Sequence, residues 1–349
     1  MVNQIGERIL AARKGAGLSL RALADIAGIS HTAISKYEKG EITPDSDMLI
    51  KIANATGKSM DFFFRDITIG SLKPNYRCKK SLGKKTETKI HAKTLDWLER
   101  YLEIEHISDE KIAVILPDRK DCHVDSLNDI EKVALRVRMQ WNLGLDPIDN
   151  LIDSFEMHGI KVGIIDVDTK FDALTFHYDD TPVIAVAKNI PGDRQRFNLA
   201  HELGHIILDI NPGLDAEKAA NRFAGAFLIP EEMMKYELLE KRRTIDINEL
   251  YRIKHKYGIS MKALIHRAAD LEIITDNIAE RLYRLFSKNG WNKKEPGKGF
   301  PNERPIHMEL LILRAHAEEK ITRSRAAELF GEPLTNILNE YNKPERING

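Results

Sequence analysis

The stretch His201-Glu202-Leu203-Gly204-His205 constrains this chain more than any other. It lies inside residues 194–210 (RQRFNLAHELGHIILDI), which read as one amphipathic helix. Histidines four residues apart project from one helix face, so both imidazoles can reach a single ion. The carboxylate of Glu202, about 100° around the helix, cannot join that pair but can reach a water beside it. Two neutral imidazoles, an open coordination position and a carboxylate base are what zinc-assisted hydrolysis of a peptide bond needs.

Such a site takes a third protein ligand. Residues 215–229 (DAEKAANRFAGAFLI) form the next helical run, stopped by Pro230 and preceded by the loop Asn211-Pro212-Gly213. Antiparallel helices joined in this way bring Glu217, in the first turn, near the histidines. Asp215 is the rival ligand, although it suits an N-cap better. Asn221 falls one turn beyond Glu217 on the same face. On the first helix Phe197, His201, Gly204, His205 and Leu208 share one face. Leu199, Leu203, Ile206 and Ile210 form a second stripe that would bury it. Gly204 costs helix stability in the interior, which makes sense where something must approach the backbone closely.

With 349 residues, 42% of them hydrophobic and 30% charged at zero formal net charge, the chain can build two or three domains with real cores. No apolar run approaches the roughly 18 residues needed to span a bilayer. The start, MVNQIGERIL, lacks the apolar core of a signal peptide. Cys78 and Cys122 form no Cys-x-x-Cys pair. The expectation is a cytoplasmic, reduced protein outside the membrane. A nucleic-acid partner must be argued from local features, because overall charge does not advertise one.

Residues 1–64 read as a compact helical module. Gln4 to Lys14 forms a first helix, Ser19 caps a second and Ser30 a third, with Gly28 between them and Gly40 after. Asp45 or Ser46 opens a fourth. Two short helices around a glycine-containing turn make the helix-turn-helix pattern, whose second helix enters the major groove. The segment LSLRALADIAGISHTAISKYEKGEITPDSDMLIKIANATG resembles the Xre, or lambda-repressor, type of DNA-binding domain. The resemblance implies that Ser30, His31, Thr32, Ser35 and Lys36 face the groove of an operator in double-stranded DNA, with Arg21 and Lys39 nearer the phosphates. It also implies a homodimer, since such modules read half-sites. The module has 8 basic against 7 acidic residues and is barely basic. Residues 65–93 carry nine Lys or Arg and two acidic residues, punctuated by glycine and proline. They read as an irregular connector that could lie along DNA.

Beyond the connector, residues 94–106 read as a helix, followed by a short apolar piece at 112–116 and helices at 128–143 and 147–158. Runs at 160–167, 173–177 and 182–187 are strand-like and separated by turn residues, which suggests an antiparallel meander. Val183 to Ala187, leading directly into the histidine helix, is expected to be an edge strand that could hold an extended substrate.

Residues 133–235 resemble the ImmA/IrrE family of metallopeptidase domains, through LRVRMQWNLGLDPI, GIKVGIIDV, RFNLAHELGHIIL and EKAANRFAGAFLIP. The resemblance implies zinc held by His201, His205 and Glu217, with Glu202 as catalytic base. It implies action on an Xre-type repressor, a partner or antitoxin-like protein, or the chain itself. An oxyanion-stabilising residue is not assigned among His177, Tyr178, Tyr251 and His255. Helical runs at 245–257, 260–271, 306–318 and 323–330 follow, with a glycine- and charge-rich flexible loop at 288–305. Residues 324–329 could begin a second helix-turn-helix, but packing or dimerisation is the favoured reading.

The expected architecture is multidomain. An all-α helix-turn-helix domain occupies 1–66, and a basic linker and helix 67–106. An α+β zincin-like domain with a small antiparallel sheet spans 107–275, and a helical region 276–349. The function expected is a DNA-binding transcriptional regulator with a zinc metallopeptidase domain. Its rival is a non-proteolytic repressor or antitoxin in which the zinc domain is a sensor or oligomerisation module.

Overall fold

The computed structural model describes residues 2–65, 73–74, 83–167 and 171–331. The rest of the basic connector, Cys78, the Asp168-Thr169 turn and residues 332–349 of the expected helical region lie outside the described residues. The N-terminal module comprises α1 (Val2–Ala16), α2 (Leu20–Ala27), α3 (His31–Glu38), α4 (Ser46–Thr56) and a 3-10 turn at Met60–Phe63. Ser19, Ser30 and Asp45 cap α2, α3 and α4 by accepting from backbone N–H groups. Gly28, at φ +72°, makes the left-handed turn between α2 and α3. Ile9, Leu23, Ile34, Ile52 and Phe63 close a core of their own.

After β1 (Lys73–Pro74) comes α5 (Lys84–Ser108), which begins ten residues before its expected start. The end of the connector is therefore helix. Ile90, Thr94, Leu98 and Tyr101 form one buried stripe along α5, and that tertiary contact outweighs the polar residues which made 84–93 look like linker. On α1, Arg8 meets Glu99 of α5 at 2.5 Å with both side chains buried. Lys58 and Arg65 converge on Asp96 at 2.8 and 3.1 Å. Trp97 lies over Gly163, where a Cβ would come within 2.8 Å of the indole.

The middle of the chain continues with β2 (His123–Val124), α6 (Asp129–Gln140), α7 (Leu151–Met157), β3 (Lys161–Ile165), β4 (Ala173–Tyr178) and β5 (Thr181–Ala187). The sheet order is β1-β4-β5-β3, with β4 antiparallel to β5 but β3 parallel to it, so the sheet is mixed rather than a meander. Every residue of β5 is buried. A strand apolar on both faces belongs in the sheet interior, and Val183 to Ala187 is hydrogen-bonded along both sides. The expected substrate edge is therefore not there. One sheet face, with Phe176, Val183 and Ala185, packs on α5; the other, with Val162, Ala173, Ile184 and Val186, packs on the helical core.

That core contains α8 (Gly192–Ile207) and α9 (Ala216–Leu228), joined through β6 (Asp209–Ile210), which pairs with β2. The histidine helix thus ends at Ile207 rather than at residue 210. Next come α10 (Glu231–Leu238), α11 (Ile247–Tyr257), α12 (Met261–Asp270) and α13 (Asp276–Lys288); α10 was not expected from the sequence, and α13 lies in the region expected to be helical. The 288–305 loop is pinned rather than flexible. Glu303 accepts from Leu151 and Ile152 N–H at the start of α7 and from the buried Arg196. Glu295 caps α12 through Met261 and Lys262 N–H. Two acidic side chains at helix N-termini hold the loop at both ends. Finally α14 (His307–Ala317) and α15 (Arg323–Phe330) pack on Tyr101 and Ile104 of α5. Ala326 and Leu329 are buried in that contact, as the packing reading of 324–329 requires.

Candidate metal centre and recognition helix

The two helices of the centre are set by local signals. Asp215 caps α9, accepting from Glu217 N–H at 2.9 Å and Lys218 N–H at 3.1 Å. The rival ligand is thus engaged with backbone, while Glu217, two residues on, turns its carboxylate to α8. His201 and His205 are 6% and 1% exposed. Their Nε2 atoms lie 3.0 Å apart, and the Glu217 oxygens lie 3.5 Å from His201 Nε2 and 3.3 Å from His205 Nε2.

Those separations have a physical meaning. Tetrahedral donors at roughly 2.0–2.1 Å from an ion are separated by edges of about 3.3 Å. All three donor atoms lie within 4.8 Å of one another, and no other such group occurs among the described residues. His201 Nδ1 stands 2.9 Å from Asn221 Oδ1. The amide oxygen only accepts, so Nδ1 carries the hydrogen and Nε2 keeps its lone pair for an ion. The Glu217 side chain is 36% exposed, which leaves the donor group open to solvent on one side.

Glu202 is fully buried, and its carboxylate accepts a hydrogen bond from Thr175 Oγ1 on β4 at 2.8 Å. Thr175 was not singled out from the sequence. Its signal was a polar residue at an inward position of β4, between the apolar Leu174 and Phe176. His177, two residues on, faces the same side by strand alternation. With Leu116, Pro117, Arg119, His205 and Leu208 it lines a cleft of about 360 Å³ beside the centre. The other three oxyanion candidates lie elsewhere. Tyr178 packs with the α5 layer. Tyr251 and His255 meet edge to face at 4.5 Å and bond to the backbone of Lys298.

In the N-terminal module Arg21, Ser30, His31, Thr32, Lys36 and Lys39 are exposed and Ser35 is half-buried, while Ile34 anchors α3 in the core. The Ser30 hydroxyl is engaged as the cap of α3, accepting from Ala33 N–H at 3.1 Å. Lys39 faces Glu41 at 3.7 Å.

Comparison with known proteins divides the chain along the same lines. The helix-turn-helix family profile matches residues 9–63, and the profile of the IrrE N-terminal-like domain, peptidase family M78, matches residues 155–269. The Bacillus subtilis (strain 168) SPbeta prophage-derived uncharacterized HTH-type transcriptional regulator YonR is 38% identical over 60 residues, 17% of this chain and 56% of that protein. Repressor protein C of Escherichia phage P2 is 40% identical over 52 residues, 15% of this chain and 52% of that protein. The chain thus spans about half the length of these curated relatives. The apo form of the competence regulator ComR from Streptococcus vestibularis aligns over 95% of this chain and 90% of its own, at 15% identity and a TM-score of 0.18, too low to carry an argument. No described helix is long and apolar enough to cross a membrane.

Proposed function

This chain joins a helix-turn-helix domain to an IrrE N-terminal-like domain of the M78 type, and we propose that it is a DNA-binding regulator whose second domain hydrolyses a peptide bond in a regulatory protein. The observation that carries the reading is the tetrahedral spacing of His201, His205 and Glu217 beside the buried Glu202. Nitrogen and carboxylate donors at that spacing suit zinc. Bound there, zinc would acidify a water molecule and polarise a carbonyl.

The chain's own residues do the rest. Glu202 takes the proton of the attacking water and delivers it to the leaving amine. Thr175 holds the Glu202 carboxylate in place, and Asn221 keeps His201 in the tautomer that binds metal. His177, at the wall of the cleft, is positioned to donate to the developing oxyanion. At the other end α3 enters the major groove of an operator, with Ser30, His31, Thr32, Ser35 and Lys36 at base edges and Arg21 and Lys39 near phosphates. Two copies reading adjacent half-sites are part of this proposal, as is a repressor-type or antitoxin-like substrate, or the chain itself.

A second reading, in which the zinc domain senses rather than cuts, is supported by α5. That helix bears on α1 through Glu99 and on β3 through Trp97, so a change at the sheet has a direct path to the DNA-binding module. The experiment that separates the readings incubates zinc-loaded full chain and Glu202→Gln with candidate repressors and follows intact mass. Cleavage by the wild type alone supports hydrolysis; intact substrates throughout, with one zinc bound, favour the sensor.

A further inference from the structure

A second cleft, of about 460 Å³, lies on the other side of the metal donors. Its walls include Phe197, Asn221, Lys262, His266, Asp270 and Tyr283. Two helix stripes connect it to the centre. On α8, Phe197, His201 and His205 recur at intervals of four; on α9, Glu217, Asn221 and Gly225 do the same. Residues four apart share a helix face, so each stripe carries metal donors at one end and cleft wall at the other. Asn221 belongs to both, through its bond to His201 at 2.9 Å. One helical turn advances about 5.4 Å, while an extended peptide advances about 3.3 Å per residue. The cleft wall at Phe197 and Asn221 thus stands one helical turn from His201 and Glu217, a rise that one to two extended peptide residues would span.

Its chemistry is uneven. Phe197 and Tyr283 supply aromatic walls, and Gly225 lets the Arg267 side chain lie against α9, where a Cβ would stand 3.2 Å from its Cδ. At the rim, Lys262 is exposed and makes no ion pair among the described residues. The one carboxylate of the cleft, Asp270, is met by the Arg222 guanidinium at 3.5 Å and by His266 at 3.0 Å. Arg267 is committed elsewhere, to Glu131 and the Ile229 carbonyl. The unbalanced charge is the ammonium of Lys262, and it is positive.

We propose that this cleft is the subsite that receives a bulky aromatic or aliphatic residue next to the bond to be cut, with an acidic neighbour drawn to Lys262. The assignment rests on the hydrolytic reading of the centre, but it can be tested without turnover. The probes are fluorescein-labelled Gly-Gly-Phe-Glu-Gly-Gly, Gly-Gly-Phe-Lys-Gly-Gly and Gly-Gly-Ala-Lys-Gly-Gly, titrated by anisotropy into zinc-loaded full-length Glu202→Gln. The Phe-Glu peptide is expected to bind about ten-fold tighter than the Ala-Lys peptide, the scale expected for burying one aromatic side chain. In the same background Lys262→Glu should reverse the order of the Phe-Glu and Phe-Lys peptides, and Ala263→Trp, which fills the cleft, should weaken both Phe peptides with zinc content unchanged. Equal affinities, no measurable binding, or an unchanged order in Lys262→Glu would overturn the assignment. Turnover by the wild type is scored separately. Ranked binding with an uncut Phe-Glu peptide sinks hydrolysis and leaves the subsite. Cutting of all three peptides without ranked binding does the reverse.

Discussion

Gly204 of α8 lies directly against Ala220 of α9: a Cβ on Gly204 would stand 3.2 Å from the Ala220 Cα and 3.2 Å from the Phe223 ring. A glycine inside a helix costs about 1 kcal/mol relative to alanine, and here the missing side chain lets α9 approach at the level of the histidines. That approach brings Glu217 within 3.3 Å of His205. Gly204→Val is expected to push the helices apart, destabilise the domain by about 1–3 kcal/mol and lower bound zinc well below one per chain. Thermal melting and plasma mass spectrometry of the same preparation check both parts.

The donor set makes a sharper prediction about metal alone. His205→Ala is expected to hold no zinc, while Glu202→Gln holds as much as the wild type. Asp215→Ala should keep its zinc and lose only the cap of α9, about 1 kcal/mol. Zinc lost from Asp215→Ala but kept by Glu217→Ala would exchange the roles of the two carboxylates. Asn221→Ala is expected to weaken zinc about 10- to 100-fold, read by chelator competition.

Thr175 tests the proposed base independently. Thr175→Val keeps the strand and the shape but withdraws the hydroxyl that Glu202 accepts from at 2.8 Å. Zinc content should stay at the wild-type level while hydrolysis falls by roughly ten-fold or more, the scale of one buried hydrogen bond to a charged group. Unchanged turnover would show that the carboxylate is held by something else.

For the DNA-binding module, Thr32→Ala and Lys39→Ala should part company. Loss of a base contact at Thr32 is expected to relax sequence preference by about 1–3 kcal/mol at one operator position. Loss of Lys39 or Arg21 should weaken all sequences alike and flatten the salt dependence by about one unit of slope. Anisotropy titrations over a salt series separate the two; Lys36→Ala is expected to follow Thr32→Ala.

Burial pushes the Glu156 carboxyl up from 4.5 to about 7, although the His307 and Ile306 N–H groups pull the other way. The folded chain therefore holds this proton more tightly than the unfolded chain does. The resulting stabilisation is complete below about 4.5 and is lost as pH rises through about 7. Glu156→Gln is expected to remove that slope and to be more stable than the wild type at pH 8, by up to ~3 kcal/mol. Parallel melts at pH 5 and pH 8 check it; a stability gap independent of pH would refute it.

Local rules made much of this protein legible before any fold was known. The interval of four places His201 and His205 on one face, and the short turn after α8 brings Glu217 back to them. Ser19, Ser30 and Asp215 announce the starts of α2, α3 and α9, because an unpaired N–H at a helix start needs an acceptor close in sequence. These features depend on residues a few positions apart, and periodicity reports such distances directly.

The tertiary structure decided what depends on distant neighbours. Val183 to Ala187 is apolar at every position, which favours a sheet interior, but only the pairing of β3 along its far side removes the expected edge. Residues 84–93 become helix because α1, the sheet and α14 bury one stripe of α5, and the 288–305 loop is held because Glu295 and Glu303 find helix starts far back in the chain. Thr175 and His177 join the centre only because β4 lies beneath α8. In each case the deciding energy is burial or a hydrogen bond between residues far apart in sequence, and no local pattern records which partners will meet.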